Sequence, residues 1–357
     1  MYLSVDEAVR VCIPFGRQPA SVKTLLRNSG RRPANLCTYA SHPGSRPPKL
    51  IRSQNNQKIK HCVRLLTSSK YRSEQQKVIL SGLTLLEEIG PYMPEIDSVF
   101  YIGSQHEDVL DDPYRYIDAP FVRQLLDNST STYNVTSQIM SKLCNLTTVQ
   151  DTHVAAEVDL PAFQDFLGYV PGTLGRLLVL ERCQDPGNLG TLLRSCVAFG
   201  FDGVFLLPGC ADPFNDKTIR ASRGASFRVP MMTGGIDEWE DVVARHGLTA
   251  IAADIGEDEL SDSGGRTGGE AKTGALGTFD ALDALGEVRV SLVVGSEGQG
   301  LSEEMRKRCR LVSIPMSGDM ESLNVATAAS IIMCLLSPSG SGLVRGLGGI
   351  FLERPPQ

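Results

Sequence analysis

The 357-residue chain is 41% hydrophobic and 21% charged, with a formal net charge of −6. An apolar share near the globular average excludes wholesale disorder, and the length predicts two domains. The charge is uneven: residues 1–72 hold 14 Lys and Arg against Asp6 and Glu7, whereas the rest of the chain holds 21 basic and 39 acidic side chains. A basic front on an acidic body points to an anionic partner or to a targeting segment. The longest nearly uninterrupted apolar run, Val325–Leu336, is too short to cross a bilayer, so a soluble protein without a membrane anchor is expected. Nine cysteines include no Cys-x-x-Cys pair, which argues against a zinc site, and their odd number argues against a disulfide framework. No metal is expected.

In chain order, residues 1–48 are rich in Arg, Ser and Pro. They read as a disordered basic leader or as a transit peptide, from which Asp6 and Glu7 depart. The leader tilts the expected compartment toward an organelle, chloroplast or mitochondrion, with the cytoplasm as the alternative. From residue 49 the pattern predicts a basic helix over 56–66, strands at 77–80, 99–102, 133–135 and 155–158, and helices at 83–89, 120–126 and 136–143. This alternation predicts a small α/β domain over 49–162. A Gly- and Pro-rich stretch, 163–176, reads as a linker.

Beyond it the pattern predicts strands at 177–180, 204–207, 249–253, 290–294 and 311–314. A turn is expected at 187–190, with helices at 191–199, 302–308 and 323–336. Buried apolar strands separated by helices indicate a mostly parallel sheet covered on both faces, here over 177–338. Residues 256–280 hold seven glycines and few bulky apolar groups, so they read as a surface insertion, and 339–357 as a loose tail.

Three loops follow buried strands in this second domain. In the first, Pro186, Gly187, Asn188 and Gly190 open a helix that carries Arg194, and a helix start suits an anionic ligand. Alone, Asn188 fits turn geometry and Arg194 a solvated helix face. The second holds Gly295, Glu297, Gly298 and Gly300. It matches neither the dinucleotide fingerprint nor a phosphate-binding P-loop. The third runs through Ile314, Pro315 and Met316 to Ser322, Leu323, Asn324 and Val325, where Ser322 fits a helix cap.

Taken together, the three loops resemble, in order and spacing, the signature motifs of the SpoU (TrmH-like) branch of the SPOUT RNA methyltransferases. A further family element, a basic residue ahead of Arg-Ala-Ser-x-Gly-Ala, is matched by Lys217 and by Arg220 through Ala225. The resemblance is close over 177–336 and weaker in the first domain, which is similar to small RNA-binding α/β modules. His153 departs from the family pattern, as do the insertion after Ile255 and the Ser337-Pro338 end of the last helix.

The resemblance implies an α/β sheet of SPOUT type with a deep C-terminal trefoil knot, preceded by a small α/β substrate-binding domain. It implies S-adenosylmethionine as cofactor, structured RNA (rRNA or tRNA) as substrate, a homodimer, and methyl transfer to a ribose 2′-hydroxyl. Gly295, Gly298, Gly300, Ile314, Met316 and Leu323 would line the cofactor site. Arg194 would activate the hydroxyl, but a guanidinium is a poor general base. An orienting and charge-stabilising role suits it better, with Glu297 or an RNA phosphate taking the proton. Asn188, Ser322 and Asn324 would position substrate and loops. Lys58, Lys60 and Arg64, with Lys70 and Arg72, would form an RNA-docking face, and Lys217, Arg220 and Arg223 would touch phosphates. The rival reading is a catalytically silent RNA-binding ribosome-assembly factor of the same fold.

Overall fold

The computed structural model describes residues 48–93, 95–103, 120–146, 154–253, 289–314 and 322–337. The leader, the 256–280 insertion, the tail, His153 and Met316 lie outside the described residues.

The first sheet has five strands in the order β1 (Lys49–Ile51), β4 (Ser131–Val135), β3 (Ile96–Tyr101), β5 (Val154–Asp159) and β2 (Lys77–Ser81). The first three are parallel, and β5 runs antiparallel to β3 and β2. Side chains alternate between faces, as a pleated strand requires. Ile79, Phe100 and Ala155 meet helices α1 (Gln57–Thr67) and α5 (Ser137–Cys144) through Ile59, Leu65 and Ile139. Val78, Leu80, Val99 and Tyr101 turn to α3 (Leu83–Ile89) and α4 (Pro120–Asp127). A bulge at Asp97, between Ile96 and Ser98, interrupts the β3–β5 register. The short helix α2 (Ser69–Gln75) follows α1 directly, capped by Ser68.

The second sheet has six strands, all parallel, in the order β11 (Arg310–Val312), β9 (Thr249–Ala253), β10 (Val290–Val294), β6 (Arg176–Leu180), β7 (Gly203–Leu206) and β8 (Met231–Thr233). Leu178, Leu180, Val204, Ile251 and Leu292 pack on α6 (Pro186–Ala198), α7 (Asp216–Ser222) and α10 (Val325–Leu336), in a core continuous with that of the first sheet. The opposite face, with Val179, Phe205 and Val293, packs on Trp239 of α8 (Ile236–His246) and Met305 of α9 (Glu303–Arg308).

One expectation changes. Residues 187–190 are not a turn: the helix already begins at Pro186, capped by Asp185, whose side chain accepts from the Asn188 N–H. Proline suits a first helical position because its missing N–H would be unpaired there anyway. Within the glycine-rich 163–176 stretch, Phe166 is wholly buried in the second core, and its carbonyl accepts from His246 Nε2 at 2.9 Å. Gly203 makes room for it, since a Cβ there would lie 2.7 Å from the Phe166 ring.

Candidate active site

In a parallel sheet every strand ends on the same edge, so the loops after β6, β10 and β11 emerge on one edge, those after β6 and β10 side by side. From β6 the chain builds outward through β7 and β8, while β10 lies on its other side next to β9. The crevice outside strand ends at such a reversal of order is where open α/β sheets bind ligands. Asn188 follows one of the two flanking strands and Glu297 the other.

A chain of hydrogen bonds joins the three motif loops. Asn324 caps α10, its Oδ1 accepting from the N–H groups of Ala326 (2.9 Å) and Thr327 (3.3 Å). Its Nδ2 therefore donates, to Asn188 Oδ1 at 3.1 Å. Asn188 Nδ2 in turn donates to Glu297 Oε1 at 3.0 Å. The helix cap thus fixes both amide orientations through the network, and the relay ends on a carboxylate. The Cys183 thiol also reaches Glu297 Oε1, at 3.7 Å, and burial, with the neighbouring carboxylate, pushes that thiol's pKa up. Glu297 is exposed, and its Oε2 has no partner among the described residues. The arrangement can hold a carboxylate in place and offer its free oxygen to a hydroxyl.

The loop after β10 closes on itself, with Ser296 and Gly300 exchanging backbone bonds of 3.1 and 3.0 Å. Gly295 is obligatory: a Cβ would sit 2.4 Å from the Gly300 carbonyl carbon. Gly300 has φ +63°, the left-handed region that favours glycine. Gly298 differs, because among the described residues nothing lies within 4 Å of a Cβ there. Ile314 is partly buried against the core, whereas Leu323 is 39% exposed beside Asn324.

Arg194 and Ser322 do not join the relay. Arg194 is exposed on α6 with no ion pair among the described residues, and Ser322 is exposed while Asn324 caps the helix in its stead. Gly190 is a packing residue: a Cβ would meet the Thr218 carbonyl and the Ala221 side chain at 2.6 Å, where α6 crosses α7.

The basic residues divide. Lys58 turns inward, its Nζ 2.6 Å from Glu157 and 3.0 Å from Asp97 at the bulge. Burial opposes its charge, but these two carboxylates prevail and raise its pKa. Arg72 is 3% exposed and bonds Asp212 and the carbonyls of Leu65 and Leu66. Arg220 reaches back to the first sheet, donating to Ser81 Oγ (2.6 Å) and to the Cys144 carbonyl (2.7 Å). Arg223 pairs with Glu88, and Lys217 with Asp185 at 3.0 Å. Lys60 and Lys70 are exposed, and Arg64 lies over the Tyr71 ring, 4.1 Å from its centroid. The buried or bridging cations hold the fold together, and surface charge alone does not distinguish them from nucleic-acid contacts.

Four neighbours of the site have no part in the motif reading. Asp185 caps α6; the Asn188 N–H and the Lys217 ammonium hold its carboxyl below the usual range. Asp followed by Pro ahead of an apolar run is the sequence signal for that cap. Glu181 Oε2 accepts from the Ser302 N–H at 3.0 Å, tying β6 to the start of α9. Arg182 takes φ +51° and donates to Gln299 Oε1 at 3.3 Å, while its buried Nε has no partner among the described residues. No local sequence signal marks Glu181, Arg182 or Gln299.

An all-parallel sheet that gathers polar side chains outside its strand ends is the architecture of an α/β ligand-binding enzyme. The profile of the SpoU rRNA Methylase family matches residues 175–334. The chain is 30% identical over 290 residues to an uncharacterized tRNA/rRNA methyltransferase of Synechocystis sp., covering 79% of this chain and 91% of that one. It is 27% identical over 290 residues to the 23S rRNA (guanosine(2553)-2'-O)-methyltransferase RlmP of Bacillus subtilis, covering 80% and 98%. The fold is also that of an AdoMet-bound rRNA methyltransferase from Sinorhizobium meliloti, with TM-score 0.63 over 81% of this chain and 97% of that one, at 23% identity. The chain belongs to the SpoU rRNA methylase family.

Proposed function

We propose that the protein transfers a methyl group from S-adenosylmethionine to a ribose 2′-hydroxyl of a structured RNA, rRNA or tRNA. The observation that carries this reading is the Asn324–Asn188–Glu297 relay, which joins all three motif loops at the sheet's switch point. The names of the relatives, tRNA/rRNA methyltransferases and a 2′-O-methyltransferase among them, point the same way. The residues present fit such a cofactor. Gly298 leaves open space on the loop, Leu323 offers an exposed apolar surface, and the orphaned Arg182 Nε supplies a donor.

When bound, S-adenosylmethionine supplies an electrophilic methyl group on a sulfonium. Glu297 Oε2 takes the hydroxyl proton, while Asn188 holds the carboxylate in place through Oε1. Arg194, without an ion pair among the described residues, orients the nucleotide by its phosphate. Residues 49–162 then form the RNA-recognition domain and 177–338 the methyltransferase domain, whose C-terminal segment forms the trefoil knot. The active unit is a homodimer. The basic leader directs the protein to an organelle.

The test is incubation with methyl-tritiated S-adenosylmethionine and rRNA or tRNA pools, followed by alkaline hydrolysis. A ribose 2′-O-methyl group blocks cleavage, so label in alkali-resistant dinucleotides is expected. Glu297→Gln is expected to slow transfer about 10²-fold or more, as loss of a general base does. Label confined to mononucleotides would overturn the ribose assignment. RNA binding without transfer would favour the silent assembly factor.

A further inference from the structure

Beside the motif loops, on the same edge of the second sheet, lies a cleft of about 610 Å3. One wall is α2, with Ser69, Ser73 and Gln76. The opposite wall is the loop after β7, and Phe163 and Thr233 complete the rim. The loop after β7 is bonded to the strand that leads to Asn188. The Ala211 N–H donates to the Cys183 carbonyl at 2.8 Å, and the Cys210 thiol donates to the Leu180 carbonyl at 3.2 Å. The loop that lines the cleft is therefore bonded to the segment that leads into the candidate active site.

We propose that this cleft is a nucleobase subsite, which receives an unstacked base of the RNA near the nucleotide to be methylated. The inference rests on the RNA reading above and adds to it a place where sequence is read.

Three observations select a base over a phosphate or an apolar side chain. The first is the floor, the Arg72–Asp212 pair. The guanidinium is 3% exposed and its other donors go to the Leu65 and Leu66 carbonyls, so the pair presents no net charge to attract an anion. The second is Phe163, 46% exposed and backed by Phe214 in an edge contact at 6.0 Å, itself backed by Phe227 at 5.7 Å. An aromatic face held open by a second ring is a stacking platform for a splayed base. The third is the rim of Ser69, Ser73, Gln76 and Thr233, neutral groups that both donate and accept, as base edges require. Because α2 belongs to the first sheet and the loop after β7 to the second, an occupied cleft couples recognition by one to chemistry at the other.

The probe is a set of fluorescein-labelled RNA hairpins with a randomised ten-nucleotide loop, titrated with full-length protein. Phe163→Ala, and Ser73→Trp, which fills the cleft, are each expected to raise Kd about tenfold, the size of one lost base stack. Phe163→Tyr is expected to retain wild-type affinity, and the melting temperature to hold in all three. Wild-type hairpin binding with unchanged Kd in both Phe163→Ala and Ser73→Trp overturns the subsite and leaves the RNA reading standing. Absence of hairpin binding by the wild-type protein overturns both.

Discussion

The two glycines at 295 and 298 belong to one sequence motif, and the structure gives them opposite reasons to be there. Gly295 is hemmed in by the protein's own backbone, whereas the space outside Gly298 is open. Gly295→Ala is therefore expected to force the 295–300 hairpin apart and cost about 1–3 kcal/mol of stability, as overpacking does. Gly298→Ala is expected to change stability by less than about 0.5 kcal/mol, as surface substitutions do. It should nonetheless weaken S-adenosylmethionine binding in calorimetry, because its methyl group projects where a ligand approaches. A Gly298→Ala protein with unchanged cofactor affinity would remove that loop from the site. At this scale the sequence identified the polar residues of the relay, Asn188, Glu297 and Asn324, but not their bonds. Sequence spacing cannot state that an Asn324 cap fixes the Asn188 amide, because that depends on how α10 meets α6. The exposed Arg194 and Ser322 illustrate the converse, for a motif position does not require contact with its fellow motif residues.

At the scale of elements, α6 carries the site, and its first turn is where the sequence misleads. Pro-Gly-Asn-Leu-Gly looks like a turn by composition, yet it forms the first turn of α6. Pro186 occupies the first helical position, and Gly190 permits the close crossing of α7. Asp185, just ahead, orders the turn by accepting from the Asn188 N–H and pairing with Lys217. Asp185→Ala is expected to destabilise the protein by about 1 kcal/mol, typical of a lost cap, and to slow methylation by loosening Asn188. The cap also predicts a pH dependence. With its folded pKa lowered, Asp185 contributes fully above the ordinary Asp pKa of about 4, and its contribution fades as pH falls through the lowered value. Thermal melts from pH 7 to pH 2 should therefore show the variant's deficit shrinking with acid; a constant deficit would exclude a charged cap. Elsewhere, β1 and β8 have three residues each, too few for a period to register. Helix α8 is absent from the predicted elements, although Asp237 and Glu238 in its first turn, Arg245 and His246 in its last and Gly247 beyond are helix-end signals.

For the molecule as a whole, the question is what the basic residues hold. Most of the longer strands and several of the helices follow from apolar periodicity, but the joining of the two sheets does not, because it depends on a few long-range polar contacts. Arg72 reaches Asp212 across 140 residues of sequence, Arg220 reaches Ser81 across 139 and Arg223 reaches Glu88 across 135. All three, read from charge alone, suit an RNA surface. Their partners are carboxylates, a hydroxyl and a carbonyl of the same chain, so removing them leaves those groups unpaired at the junction. Arg220→Ala is accordingly expected to lower stability by about 1–3 kcal/mol through the unsatisfied Ser81 and Cys144 groups. Lys60→Ala, on the exposed side of α1, should leave stability unchanged and weaken RNA binding. Its loss should also flatten the dependence of log affinity on log salt by about one counterion, the mark of a phosphate contact. Melting curves and RNA titrations at 50 and 200 mM salt on the two variants decide the matter. If Lys60→Ala left the salt dependence unchanged while Arg220→Ala flattened it without loss of stability, the division of cations would be reversed, and the junction rather than α1 would be the RNA face.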